Sequence, residues 1–289
     1  MTKKGVQKVY ETHSSHWVGD GFPVRNLIPS TGLENEISPF LLLDYAGPKY
    51  FAPSDKPRGV GEHPHRGFET VTIAYQGSVS HRDSAGNSGV IGPGDVQWMT
   101  AASGVVHEEM HERDFTTRGG TFEMIQLWVN LPRGLKMSRP RYQTLLDTQI
   151  PKVTFANGGY ARVIAGELNG VKGPASTFTP VNLFDVRLKA GETAELQLPS
   201  GFNTAAFLLK GGVALNSSQV VEGEAKIALF DPDGELLKIE ARRDSVLLVL
   251  NGEPINEPVA SYGPFVMNTK AELSQAVEDY RAGKMGHLQ

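Results

Sequence analysis

The feature that most constrains this chain is its punctuation. Clusters of Gly, Pro, Asp and Asn recur roughly every 8 to 12 residues, and the runs between them are short and apolar on alternate positions. That rhythm leaves no room for long helices and predicts short strands closed into a sandwich or barrel. Thr70-Val71-Thr72-Ile73-Ala74-Tyr75 alternates as a strand, and Gly77 turns the chain into Ser78-Val79-Ser80-His81. Asp83-Ser84-Ala85-Gly86-Asn87 and Gly92-Pro93-Gly94-Asp95 supply further turns from residues that tolerate unusual backbone angles. Val96 to Thr100 and Val105 to Met110 read as the next strands, and Phe122 to Val129, apolar on both faces, reads as a buried one.

At 289 residues the chain is long enough for two domains, each able to bury its own core. The stretch from Leu131-Pro132-Arg133-Gly134 to Ser138-Arg139-Pro140 lacks an apolar period and marks the boundary. The second half repeats the pattern: Leu183 to Leu188, Thr193 to Leu198, Ala205 to Leu209, Ala225 to Phe230 and Ser245 to Leu250 are short β-rich runs. Ile73-Ala74-Tyr75-Gln76-Gly77-Ser78-Val79 resembles Phe207-Leu208-Leu209-Lys210-Gly211-Gly212-Val213, a weak internal repeat compatible with a duplicated barrel. One helix closes the chain, with Thr269 and Glu272 as a capping box, Leu273, Ala276, Val277 and Tyr280 on one face, and Gly283 as its stop. The expected organisation is a barrel over residues 1–135, a linker over 136–150, a second barrel over 151–262, and a helix and tail over 263–289.

Cysteine is absent, so thiolate catalysis, disulfides and zinc-thiolate sites are excluded, and any metal must sit on His and carboxylate. The formal charge of −4 is too mildly acidic to draw nucleic acid or an anionic membrane by field alone. The N-terminal Met1 to Lys8 is basic without the apolar run of a signal peptide, and no stretch approaches the roughly 18 apolar residues of a membrane span. These features predict a soluble, cytoplasmic protein whose partner is a small molecule or another protein.

Seven of eight histidines, at 13, 16, 63, 65, 81, 107 and 111, precede residue 112, and the eighth is His287 in the tail. The second barrel therefore has no histidine to offer a metal. In His63-Pro64-His65 the rings are two residues apart, which on an extended chain points both to one face, about 6 to 7 Å apart along the strand. His107 and Glu109 repeat the spacing. A strand pairing that joined the two segments would present three imidazoles and one carboxylate, leaving two open positions on an octahedral ion. Iron(II) suits such a set, and Mn, Ni, Cu or Zn could also occupy it.

His107-Glu108-Glu109-Met110-His111 also fits the H-E-x-x-H pattern of zinc proteases, which needs a helix. Val105-Val106 favours a strand instead, and neither flank carries a helical period. On a strand His111 shares the face of 107 and 109 and is expected as a solvated residue beyond the barrel rim. Glu69 is a reserve ligand. His81 and Asp83 read as a turn or inter-strand hydrogen-bond pair, Trp98 as core, and His13 and His16 as edge or loop residues.

His63-Pro64-His65-Arg66-Gly67-Phe68-Glu69-Thr70-Val71, Pro93-Gly94-Asp95-Val96-Gln97-Trp98-Met99-Thr100-Ala101 and His107-Glu108-Glu109-Met110 together resemble the pirin family. Gly21 to Arg25, Gln126 to Leu131 and Gly263 to Thr269 extend the resemblance over nearly the whole chain. It implies an all-β bicupin, two jelly-roll barrels with a short C-terminal helix, in which the N-terminal barrel alone binds metal through His63, His65, His107 and Glu109. Against cupins at large the chain departs: no Gly stands six residues before His63, and Gln97 stands where a cupin histidine is usual. The resemblance implies quercetin 2,3-dioxygenase activity, with a flavonol opened by O₂ and CO released, and Glu109 as catalytic base. The alternative it implies is a non-enzymatic, iron-bearing, redox-sensitive regulator that binds a transcriptional or metabolic protein.

Overall fold

The computed structural model describes residues 1–28 and 36–288. It divides into two compact units, one made of Met1–His13, Glu36–Pro39 and Thr148–Pro254, the other of Ser14–Asn35, Phe40–Asp147 and Ile255–Gln289. Each is a jelly-roll cupin barrel. The strands in chain order are β1 (Val6–Glu11), β2 (His16–Val18), β3 (Phe22–Ile28), β4 (Phe40–Phe51), β5 (Gly59–His65) and β6 (Phe68–Gln76). They continue through β7 (Val79–Asp83), β8 (Ser88–Ile91), β9 (Val96–Thr100), β10 (Val105–His111), β11 (Gly120–Asn130) and β12 (Arg141–Leu145).

The unit that holds seven of the eight histidines, all but His13, pairs two sheets, one ordered β12-β9-β6-β11-β4-β3-β2 and the other β5-β10-β7-β8. Its interior holds a cluster of buried apolar side chains, among them Phe22, Val24, Ala46, Ala74, Phe122 and Met124. These positions alternate along their strands with residues on the other face, as a half-buried β-sheet requires. The other unit is an eight-stranded sheet built on the long strands Asn203–Leu215, Gln219–Phe230 and Leu236–Gly252. Its core is almost entirely aliphatic, with Phe155, Phe184 and Phe230 as its aromatic members.

Several segments depart from the expected boundaries: Glu36–Pro39 goes with the second barrel, and the expected linker carries β12, which pairs with β9 in the histidine-bearing unit. β1 pairs antiparallel with Gln219–Phe230, Val9 opposite Ala228, so residues 1–13 belong with the second barrel rather than the first. The closing helix, Lys270–Arg281, belongs with the histidine-bearing unit. Its capping box forms as expected, Thr269 accepting from the Glu272 amide and Glu272 accepting from that of Asn268. Its buried face carries Leu273, Ala276 and Asp279, whereas Tyr280 is exposed. A second short helix, Arg113–Arg118, forms where no helical period is visible, because the Glu112 carboxylate accepts from the amides of Asp114 and Phe115. No described helix is long and apolar enough to cross a membrane.

Candidate metal centre

β10 lies antiparallel to β5 with His107 opposite His63 and Val105 opposite His65, so the two doublets meet across one pairing. A register shift between His107 and Glu109 sets Glu109 against Val60. The ring centroids are 4.8 Å apart for His63 and His65, 4.3 Å for His63 and His107, and 4.8 Å for His65 and His107. One ligating nitrogen from each of the three lies within 4.8 Å of the others, the one such group among the described residues. Glu109 is outside that group but lines the same cavity, with His63, His65, Phe22, Val24, Met124 and Trp128. The cavity encloses about 340 Å³.

The donor atoms fit a metal ion. His65 and His107 are fully buried, yet His65 Nδ1 and His107 Nε2 have no hydrogen-bond partner. Buried polar atoms are rarely left so, and two of them in one histidine cluster are what an ion would satisfy. The His63 Nδ1–H donates to the Gly61 carbonyl at 2.8 Å, which turns Nε2 outward as an acceptor. Burial and the neighbouring histidines hold the pKa of both His65 and His107 well below the usual imidazole value, the Pro264 carbonyl opposing at His65. Both rings are therefore neutral at physiological pH, the form that ligates. Phe68 and Trp128 brace His65 edge-on, at 5.1 and 5.4 Å between centroids.

A row of polar side chains crosses the large sheet beside the cluster. Asn26 is opposite Asp44, Asp44 opposite Gln126, Gln126 opposite Thr72 and Thr72 opposite Gln97, one residue from each of β3, β4, β11, β6 and β9. The Thr72 hydroxyl is 3.0 Å from Glu109 Oε1 and 2.7 Å from Gln126 Oε1, and with one proton to give it serves one of them at a time. Asp44, on the cavity wall, accepts from Asn26 Nδ2 at 2.6 Å, and burial raises its pKa above the ordinary carboxylate range. No sequence motif points to Asp44, Thr72 or Gln126, because each lies on a different strand, far from the others along the chain.

Several expectations resolve here. β10 is a strand, so the two histidines of the H-E-x-x-H pattern cannot share a helix face. His111 is 3% exposed, not solvated. It stacks on Phe122 and meets Phe22, Phe51 and Phe115 edge-on, with Nε2 bonded to the Gly21 carbonyl at 3.0 Å. The aromatic side chains that close round it lie on β3, β4, β11 and the Arg113–Arg118 helix, too dispersed in sequence to be read from the motif. Glu69 lies an odd number of residues from Thr72 and so on the opposite face of β6, where it accepts from the Thr100 hydroxyl at 2.7 Å. It is not a member of the cluster. Trp98 is fully buried core, and His13 and His16 are exposed.

The chain is similar to known proteins in both sequence and fold. The family model described as Pirin matches residues 21–129, and that described as Pirin C-terminal cupin domain matches 183–286. A Pseudomonas aeruginosa protein, provisionally named a quercetin 2,3-dioxygenase, is 55% identical over 282 residues, covering 97% of this chain and 98% of that one. Human pirin is 37% identical over 273 residues, covering 93% and 89%. A crystal structure titled quercetin 2,3-dioxygenase from Acinetobacter baumannii superposes with a TM-score of 0.96 at 48% identity, covering 99% of this chain and all of that one.

Proposed function

Since the chain belongs to the pirin family, we propose that it is a metal-dependent quercetin 2,3-dioxygenase whose centre is built by His63, His65, His107 and Glu109. The observation that carries the reading is the convergence of three imidazoles, two of them neutral and each with an unpartnered buried nitrogen, beside an apolar cavity of about 340 Å³. That volume lies in the range of small-molecule sites, and its walls of Phe22, Val24, Met124 and Trp128 suit a flat aromatic substrate. The proposed occupant is one iron(II) per chain, which when bound supplies exchangeable positions for the substrate oxygen and O₂.

The protein's own groups divide the remaining work. The three histidines hold the ion. Glu109, on the cavity wall, takes the proton of the flavonol 3-hydroxyl as general base, and the Thr72 hydroxyl stabilises its carboxylate whenever it is not turned to Gln126. The apolar walls exclude water from the deprotonated substrate and orient its ring system. Ring opening with O₂ then yields the cleaved ester and CO.

The test is metal analysis of anaerobically purified protein beside His63→Ala, followed by O₂ uptake with quercetin. About one iron per chain, lost in the variant, with quercetin-dependent uptake is the expected result. Iron without uptake would refute the dioxygenase and favour a partner-binding role. Glu109→Gln is expected to retain metal and lose turnover, and full activity in that variant would refute the base assignment.

A further inference from the structure

Next to His107 lies a buried chain of polar groups, none of them lining the cavity, that the reaction above does not use. β7 pairs with β10 so that Asp83 is opposite His107 and His81 opposite Glu109. His107 Nδ1 is 3.3 Å from His81 Nδ1, and His81 Nε2 is 3.4 Å from Asp83 Oδ2. Gln97 Nε2 lies 3.1 Å from the same His81 Nδ1, and the Tyr142 hydroxyl is 3.5 Å from Gln97 Oε1. The Tyr142 ring stacks on His81, centroids 4.8 Å apart and planes 15° from parallel. His81 and Asp83 are 3% and 6% exposed, so water does not compete for these bonds.

The donors and acceptors admit one consistent assignment. Asp83 accepts from the backbone N–H groups of Ala85 and Asn87 and from the Asn87 amide on both carboxylate oxygens, which holds it in place as an acceptor. His81 therefore gives its Nε2–H to Asp83, and its Nδ1 lone pair faces the Gln97 amide and the His107 ring. A lone pair there requires His107 to carry its proton on Nδ1. His107 Nε2, buried and without a partner, is then the free electron pair aimed into the cluster.

We propose that Asp83 and His81 are positioning residues that fix the tautomer and ring orientation of His107 and thereby set the metal affinity of the centre. The inference rests on the metal reading above and extends it to two residues that touch neither ion nor substrate. Partners one shell behind a ligating histidine are worth about 10 to 100-fold in metal affinity. Asp83→Asn is the informative variant. Its side-chain oxygen can still accept from the turn amides, while its NH₂ faces His81 Nε2 and inverts the relay. His81 then carries its proton on Nδ1, directed at Gln97 and His107, and His107 is pushed to the Nε2–H form that cannot ligate.

The experiment is long-range ¹H–¹⁵N correlation spectroscopy of the metal-free protein labelled at histidine, which reads tautomers directly, paired with Zn²⁺ affinity by chelator competition. Wild type is expected to show His107 protonated on Nδ1 and His81 on Nε2. Asp83→Asn is expected to show both inverted and to bind Zn²⁺ about 10 to 100-fold more weakly. His81→Phe, which keeps the ring stacked on Tyr142, is the second variant and is expected to weaken Zn²⁺ binding without lowering the thermal midpoint in parallel. Unchanged tautomers with unchanged Zn²⁺ affinity in Asp83→Asn would overturn the relay while leaving the metal centre standing. A folded wild type that binds no Zn²⁺ would instead overturn the metal reading and this proposal with it.

Discussion

Replacing Glu69 by Gln should stabilise the protein at pH 8 and leave it nearly unchanged at pH 4.5. Glu69 is 1% exposed on the face of β6 turned away from the cavity. Burial raises its pKa from the usual 4.5 to about 7, against the opposing pull of the Thr100 hydroxyl, the Trp98 indole and Arg141. In the unfolded chain the same carboxyl ionises near 4.5. Between those values the folded state binds more protons than the unfolded one, so the stability associated with this group falls as pH rises from 4.5 to 7 and is level above. At about 1.36 kcal/mol per pH unit the penalty at pH 8 approaches about 3 kcal/mol. Gln has the shape of the protonated acid, keeps an acceptor for Thr100, and has no charge to bury. Urea unfolding of wild type and Glu69→Gln at pH 5 and pH 8 measures the difference. The gap is expected to grow by about 2 to 3 kcal/mol between the two pH values, with metal content equal in both proteins. A gap independent of pH would refute the burial argument, and loss of metal in the variant would refute the assignment of Glu69 to the far face.

Three other substitutions probe how the histidine segment is held. Lys136 is buried and donates to the Gly67 carbonyl, Asn130 Oδ1 and the Val266 carbonyl, so Lys136→Met is expected to cost about 3 kcal/mol in urea unfolding by stranding three oxygens. Gly67 has φ +91° and its missing Cβ would overlap the Val266 carbonyl oxygen, so Gly67→Ala is expected to lower the thermal midpoint and, two residues from His65, the metal content. Asp279 receives Arg66 Nη1 at 2.8 Å and Lys284 Nζ at 2.9 Å, and bonds from Lys284, Arg66 and Gln275 hold its pKa well below the ordinary carboxylate range. The stability it contributes is present above about pH 4 and lost below, so the gap in thermal midpoint between wild type and Asp279→Asn should narrow as pH falls from 6 to 3.

The fold is legible wherever its cause is local. Turn residues and two-residue alternation announce short strands, and the Thr269–Glu272 box announces the start of the closing helix, because both act within a few residues. Pairing is not local. β1 joins Gln219–Phe230, more than two hundred residues away, and nothing in Val6–Glu11 names that partner. The burial of His111 escapes a reading along the chain for the same reason. Glu109, Glu112 and Arg113 beside it are charged, and it is the rings of Phe22, Phe51 and Phe122, brought in from other strands, together with Phe115, that pack round it.

The site divides along the same line. A strand puts residues i and i+2 on one face, so His63 with His65 and His107 with Glu109 are visible as doublets in the sequence itself. The register that sets His107 against His63 is a property of two strands, and it turns two weak doublets into one cluster. Beyond the doublets, a barrel writes its interior chemistry across the strands rather than along them. Asn26, Asp44, Gln126, Thr72 and Gln97 form one row with one residue from each strand, and in the sequence they lie far apart with no motif to group them. Asp83, His81 and Gln97 meet His107 by the same route. A reading along the chain can assign His81 and Asp83 to each other, as neighbours two apart on β7. It cannot see that β10 lies alongside, which turns a pair that looks like turn chemistry into the back wall of the histidine cluster.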